Sequence, residues 1–246
     1  MSFPVLGVRP RLVPTLFVGL GLLILLGLGT WQVERLAWKT NLIDTIARSV
    51  SAPPRLLTGP DLGPVADYER VRVEGRFLND REMHMLARSL KGNEIGYQVM
   101  TPFAVDGGGT VIVNRGFVPS SRRDPATRSE GQIEGTTTVT GIARFPRRPV
   151  LQWAIPENKP SEDFWIWADL PRMAATAGIA SVAPFTIEVE AGANPGGMPV
   201  GGQTRLTMPN DHLEYAITWY ALAIALMTMF VVHHRRQARN EPGEAR

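Results

Sequence analysis

The chain has 246 residues, 44% of them hydrophobic and 20% charged, which excludes a disordered tail or a fibre; its 20 Pro and 24 Gly follow no period, which excludes collagen. It has no cysteine, so disulfides, thiolate zinc and iron–sulfur sites, covalent c-type haem, cysteine nucleophiles and thiol copper chaperones are excluded together. The net charge of +3 resides at the ends: Arg9 and Arg11 stand before residue 12 without an acid, and Arg235, Arg236, Arg239 and Arg246 outweigh Glu241 and Glu244 after residue 232. The chain between is close to neutral, so the basic, aromatic-rich patch of a nucleic-acid binder is missing.

Residues 1–11 read as a short basic, cytoplasmic N-terminus. From Leu12 to Trp31 runs an uncharged apolar stretch, LVPTLFVGLGLLILLGLGTW. At 1.5 Å per residue it spans roughly 30 Å, one hydrocarbon thickness. A cleavable signal peptide is the competing reading. The stretch is long for one and no small-x-small site follows it, so it reads as an uncleaved signal anchor. Residues 32–52 extend this helix: Leu36, Trp38, Leu42, Ile43, Ile46, Ala47 and Val50 recur at helical spacing. Pro53 and Pro54 stop it.

Residues 53–211 read as a β-rich domain. Val71, Val73 and Phe77 alternate with charged residues, and 81–88, 95–105, 110–117, 136–145, 163–168 and 184–190 are further strand candidates. Asp106-Gly107-Gly108-Gly109 is a hairpin loop; no Lys-Ser/Thr and no helix follows, so it is not a phosphate loop. Asp169 to Gly178 has a capping Asp, an early Pro and a terminal Gly, which predicts one short helix. Residues 192–202, GANPGGMPVGG, predict a flexible loop. The expected domain is mainly antiparallel β, barrel- or sandwich-like, with few helices (α+β). A second span covers residues 213–232, with Glu214 as its single charge, and 233–246 form a basic cytoplasmic tail. The arginines flanking both spans predict that both termini are cytoplasmic and that 34–211 lies across the membrane.

Chemistry-bearing residues are few. His84 lies between Met83 and Met85, but on a strand His84 and the two Met face opposite ways, so copper ligation gives way to packing. Glu157, Glu162, Asp163 and Asp169 read as solvated loop charges. No nucleophile or metalloprotease motif occurs, so the chain is not expected to be an enzyme. On a helix His212 shares a face with Tyr215, Ala216 and Trp219. An imidazole above that aromatic stripe suits an axial bond to haem iron, or simply an interfacial belt. Arg35 and Trp38 stand three apart beyond Trp31. Arg35 can pair with a carboxylate there or snorkel.

Three stretches together carry a resemblance: LGTWQVERLAWK at 28–39, VNRGFVP at 113–119 and NDHLEYAITWYALA at 210–223, with ENKPSEDFWIWADLPRMA at 157–174 in support. With two spans at this spacing, they resemble the Surfeit-locus family of membrane proteins, assembly factors of haem–copper cytochrome c oxidase. Tyr220 stands where that family often has Phe. The resemblance implies a bacterial inner-membrane protein with a periplasmic domain, acting on oxidase subunit I, with haem a synthase as a further partner. It implies haem a as a transiently bound cofactor, with His212 as axial ligand and Tyr215, Trp219, Arg35 and Trp38 around it. The alternative is a scaffold for subunit I that binds no haem. Asn114, Arg115 and Gly116 carry the central motif, and Gly116 reads as a backbone requirement.

Overall fold

A computed structural model describes residues 12–240 apart from 91, 93, 148, 150–152, 154 and 193; of 238–240 only the backbone is described. The N-terminal residues 1–11 and the last of the basic tail, 241–246, lie outside the described residues. The chain forms two compact units. One comprises the residues up to Thr45 with those from Thr207 onward; the other is Ile46–Leu206.

The first unit is a pair of helices, α1 (Leu12–Ser51, of which it holds the part up to Thr45) and α3 (His212–Asn240). Both are long and apolar enough to cross a membrane, and only 6% and 11% of their apolar windows is buried. A core helix of a soluble protein would be buried on most sides. On α1 the covered positions Val18, Leu22, Leu25, Gly29, Gln32 and Leu36 recur in alternating steps of four and three. On α3 the covered positions His212, Ala216, Trp219, Ala223, Leu226 and Phe230 do the same. That 3.5-residue repeat is the pattern of a coiled-coil seam. Contacts run antiparallel along it. A Cβ on Gly21 would meet Leu226 at 3.0 Å, and one on Gly29 would lie 2.8 Å from the Tyr220 ring. Beyond these, Gln32 bonds His212, and Thr40 bonds Asn210. Glycine is what lets the helices approach at Tyr220, whose hydroxyl lies 3.1 Å from Thr30 Oγ1.

The second unit holds seven strands: β1 (Arg55–Leu56), β2 (Arg70–Phe77), β3 (Met83–Arg88), β4 (Ile95–Val105), β5 (Thr110–Pro119), β6 (Thr137–Arg144) and β7 (Thr186–Val189). Their order is β1-β2-β6-β7-β5-β4-β3, and β4 also pairs with β2. The ring β2–β6–β7–β5–β4 therefore closes on itself as a small barrel. Strand β4 makes the closure possible because it is long. Its first half pairs with β3 and its last residues, Phe103 to Val105, pair with β2. Most pairings are antiparallel, as expected; β5–β7 and β1–β2 are parallel.

Period-two alternation fills the barrel. Val71, Val73, Phe77, Phe103, Val111, Val113 and Ile187 form one buried cluster inside it. The other face of the sheet builds a second core, in which Met83, Met100 and Ile112 pack against Trp165 and against Leu170 and Met173 of α2 (Leu170–Thr176). Asp169 caps α2 by accepting from the Arg172 amide.

Two expectations are corrected. Residues 163–168 form no strand; Trp165 alone bridges to Met85, covering the open edge of β3. Of the loop predicted over 192–202, residues 194–202 are not free. Val200 exchanges backbone hydrogen bonds with Phe117 at 2.8 and 2.9 Å, and the buried Asn194 amide donates to the Arg115 and Pro199 carbonyls. The glycines there serve close packing: a Cβ on Gly201 would lie 2.3 Å from the Glu190 carbonyl oxygen.

Candidate functional site

In the helix pair, the first residue of α3 is His212. It follows Asn210 and Asp211, and the Asp211 carbonyl accepts from the Tyr215 amide at 3.3 Å, the first turn of the helix. The His212 Nδ1 lies 2.7 Å from Oε1 of Gln32. Gln32 is 8% exposed and occupies a seam position of α1. With the amide oxygen as acceptor, Nδ1 carries the proton and the lone pair of the ring sits on Nε2.

Trp219 is half-buried two turns along the same seam, next to buried Ala216. Tyr215 is 56% exposed, at the flank of the seam. Arg35, one turn past Gln32, lies over the Trp38 ring at 4.0 Å from its centroid. That stacking is the cation–π contact of neighbours three apart on one helix. Of the two readings of Arg35, a carboxylate pair or a snorkelling side chain, no carboxylate pair is among the described contacts; its described partner is the Trp38 ring. Gln32 stands inside the quoted stretch LGTWQVERLAWK, and its signal is a lone uncharged amide at a seam position.

In the barrel unit, Asn114, Arg115 and Gly116 lie in β5. The Asn114 side chain accepts from the Gly116 amide at 3.1 Å. Arg115 is wholly buried. Its guanidinium donates to the Gly131 carbonyl and to Asn79 Oδ1 and lies over the Phe77 ring, while its Nε has no partner. Burial pulls it down to about 10. Gly116 has φ +119°, and a Cβ there would be 2.1 Å from the Val200 carbonyl oxygen. The motif thus works through packing: Arg115 and Asn194 tie the 131 and 194–200 segments to β5.

A second cluster was not expected. His84 is buried, and its ring Nδ1 meets Asp163 Oδ2 at 2.5 Å. Its Nε2 is 3.3 Å from Glu82, which also accepts from both terminal nitrogens of buried Arg128. Arg123 reaches the Asp163 carbonyl at 2.7 Å. Burial opposes charge on Glu82, but hydrogen bonds from His84 and Arg128 outweigh it and hold the carboxyl at about 2. Burial likewise opposes charge on His84, and the bonds to Asp163 and Glu82 overcome it, raising the imidazole above its usual range. Asp163 is therefore not a solvated loop charge. Nothing local announces its role, because its partner is 79 positions away.

Among the described residues no group of three or more His, Asp or Glu converges as a metal site. At the start of α3 His212 is the one imidazole among the described residues; His233 and His234 stand near the other end of the same helix.

Comparison with known proteins follows the same outline. The SURF1 family matches residues 20–224. A SURF1-like protein of Monosiga brevicollis is 40% identical over 88% of this chain and 85% of its own. Surfeit locus protein 1 of Xenopus tropicalis is 38% identical over 80% and 68%, and that of Homo sapiens 36% over 88% and 75%. The match begins within α1, takes in all seven strands and ends within α3, so the chain belongs to the SURF1 family.

Proposed function

We propose that this chain holds haem a through His212 and delivers it to cytochrome c oxidase subunit I. Family membership implies a role in cytochrome c oxidase assembly, and with it interaction with the oxidase complex. The observation that carries the finer reading is the Gln32–His212 hydrogen bond. A ring nitrogen that ligates iron is regularly accompanied by a second that donates to a carbonyl or carboxylate, which fixes tautomer and orientation. Gln32 supplies that acceptor at 2.7 Å.

The residues present fit a haem in this respect, and the apolar helix surfaces suit its hydrocarbon periphery. When bound, haem a would be cargo, and no bond in a substrate is made or broken. His212 would hold the iron, Trp219 and Tyr215 would border the ring, and Arg35 and Trp38, one to two turns along α1 from Gln32, would face the polar edge. The proposed setting is a bacterial inner membrane, with both termini cytoplasmic and the barrel periplasmic. A synthase making haem a is the natural donor.

The same hydrogen bond favours a second reading. It joins the two helices, so His212 can serve as an interhelical lock in a scaffold that stabilises subunit I without haem. The experiment is the absorption spectrum of the full-length protein purified after co-expression with haem a synthesis, wild type against His212→Ala. The carrier reading expects a haem a spectrum that is lost in the variant at equal protein yield. A variant with the wild-type spectrum at equal occupancy leaves the scaffold reading.

A further inference from the structure

We infer that Gln32 is a positioning residue which makes the His212 ligand directional but weak, so that the cargo is held in one geometry and still released. This rests on the haem reading above. The amide oxygen of Gln32 fixes the Nδ1 proton of His212, and its charge decides what else it does. A carboxylate in its place would draw that proton strongly, make Nε2 more basic and favour the ferric ion. An amide oxygen bears only a partial charge. It orients the ring equally well and strengthens the donor far less.

The backbone keeps this arrangement in register. Gly29, three residues before Gln32, admits the Tyr220 ring to within 2.8 Å of where a Cβ would be. That contact and the Thr30–Tyr220 bond at 3.1 Å set the helix separation at which a Gln side chain spans to the imidazole. Gln32 is buried and His212 partly so, which limits the competition of water for the Nδ1 proton.

The test uses the full-length protein in detergent, loaded by co-expression with haem a synthesis. Occupancy, reduction midpoint and the rate of haem loss to excess apomyoglobin are measured for wild type, Gln32→Glu and Gln32→Leu. Gln32→Glu is expected to lower the midpoint and slow loss of ferric haem. Gln32→Leu is expected to speed loss by about 10–100-fold, the range for removing such a partner of a ligating histidine. If both variants keep the wild-type midpoint and loss rate, the inference is overturned and the haem reading stands. Should the Leu variant fail to accumulate, the Glu variant decides alone, an unchanged midpoint and loss rate overturning the inference. A His212→Ala protein that retains the wild-type spectrum overturns the haem reading itself.

Discussion

His84 is joined to Asp163 twice: its ring Nδ1 donates to Oδ2 at 2.5 Å and its backbone N–H to Oδ1 at 3.0 Å. Asp163 adopts the left-handed conformation, φ 49°, which Asp tolerates better than most residues. One carboxylate therefore fixes both the ring and the backbone of β3, and it brings the 158–165 segment with it. On the other side of the ring, Glu82 and Arg128 bind the segment 122–132. Three stretches distant in sequence meet at one imidazole.

The protonation of this cluster predicts a stability optimum. A histidine raised above its ordinary 6.5 on folding stabilises in its charged form. That contribution is whole below pH 6.5 and is lost as pH climbs past the raised value. Glu82, lowered from 4.5 to about 2, acts oppositely: its contribution, on the order of 3 kcal/mol, is present above pH 4.5 and fades toward pH 2. The melting temperature of the purified protein should fall on both sides of the interval 4.5–6.5. His84→Gln should flatten the alkaline limb, and an unchanged alkaline limb in that variant would refute the assignment.

Removing Arg128 should be severe. Its side chain is 1% exposed and that of Glu82 5%, so Arg128→Ala leaves a buried carboxylate with only the His84 ring and the Gln132 amide, each at 3.3 Å, to balance it among the described contacts. A cost of about 3–5 kcal/mol is expected. Adding Glu82→Gln to that variant should recover part of the loss, because the stranded charge goes too. Additive losses in a double-mutant cycle, followed by denaturant or thermal unfolding, would show that the two residues are uncoupled.

At Gly116 the obstacle is backbone, not side chain. Any Cβ meets the Val200 carbonyl oxygen at 2.1 Å and the φ of +119° is strained for an L residue. Gly116→Ala should cost about 2–3 kcal/mol. Gly116→Glu should cost more, since it also places a carboxylate where β5 packs against Val200. Limited proteolysis should then cut within 194–203 first. Wild-type protease resistance in the Glu variant would mean that the segment yields freely.

The alternating valines of β2 and β5 announce strands, and the uncharged run from Leu12 announces a span, because burial writes those patterns locally. Closure of the barrel through Phe77–Phe103 is not written locally; it depends on the length of β4 and on pairing between remote segments. The same holds for the site. His212 is legible as an imidazole at the start of an apolar helix, whereas its partner Gln32 is 180 positions away. The glycines of 192–202 suggest looseness when read alone, yet a Cβ on Gly201 would meet the Glu190 carbonyl oxygen at 2.3 Å and one on Gly202 the Ala191 Cβ at 2.8 Å.

Membrane topology is testable in vivo. The arginines that flank the two spans predict that a reporter active only outside the cytoplasm works when fused after residue 130 and fails when fused to the C-terminus. The inverse pattern would reverse the orientation and move His212 to the other membrane face.

The helix seam supplies the last prediction, and the absence of cysteine makes it simple to run. Thr40 Oγ1 and Asn210 Nδ2 lie 3.3 Å apart. A Thr40→Cys, Asn210→Cys protein therefore carries the only two thiols in the chain, one on each side of the helix pair, and a short bis-maleimide should link them. Gly29 and Gly27 differ in what a side chain would meet: the Tyr220 ring at 2.8 Å for Gly29, open space for Gly27. Leucine at 29 must push α3 away or turn the Tyr220 ring out of the seam, whereas leucine at 27 faces lipid and suits it. Gly29→Leu should cut the cross-linking yield several-fold and Gly27→Leu should leave it unchanged. A displacement at Gly29 would also lengthen the Gln32–His212 bond, so the haem reading proposed above predicts that haem content in the co-expressed protein falls with the cross-link. Equal yields from the two leucine variants would mean that the seam does not run through Gly29.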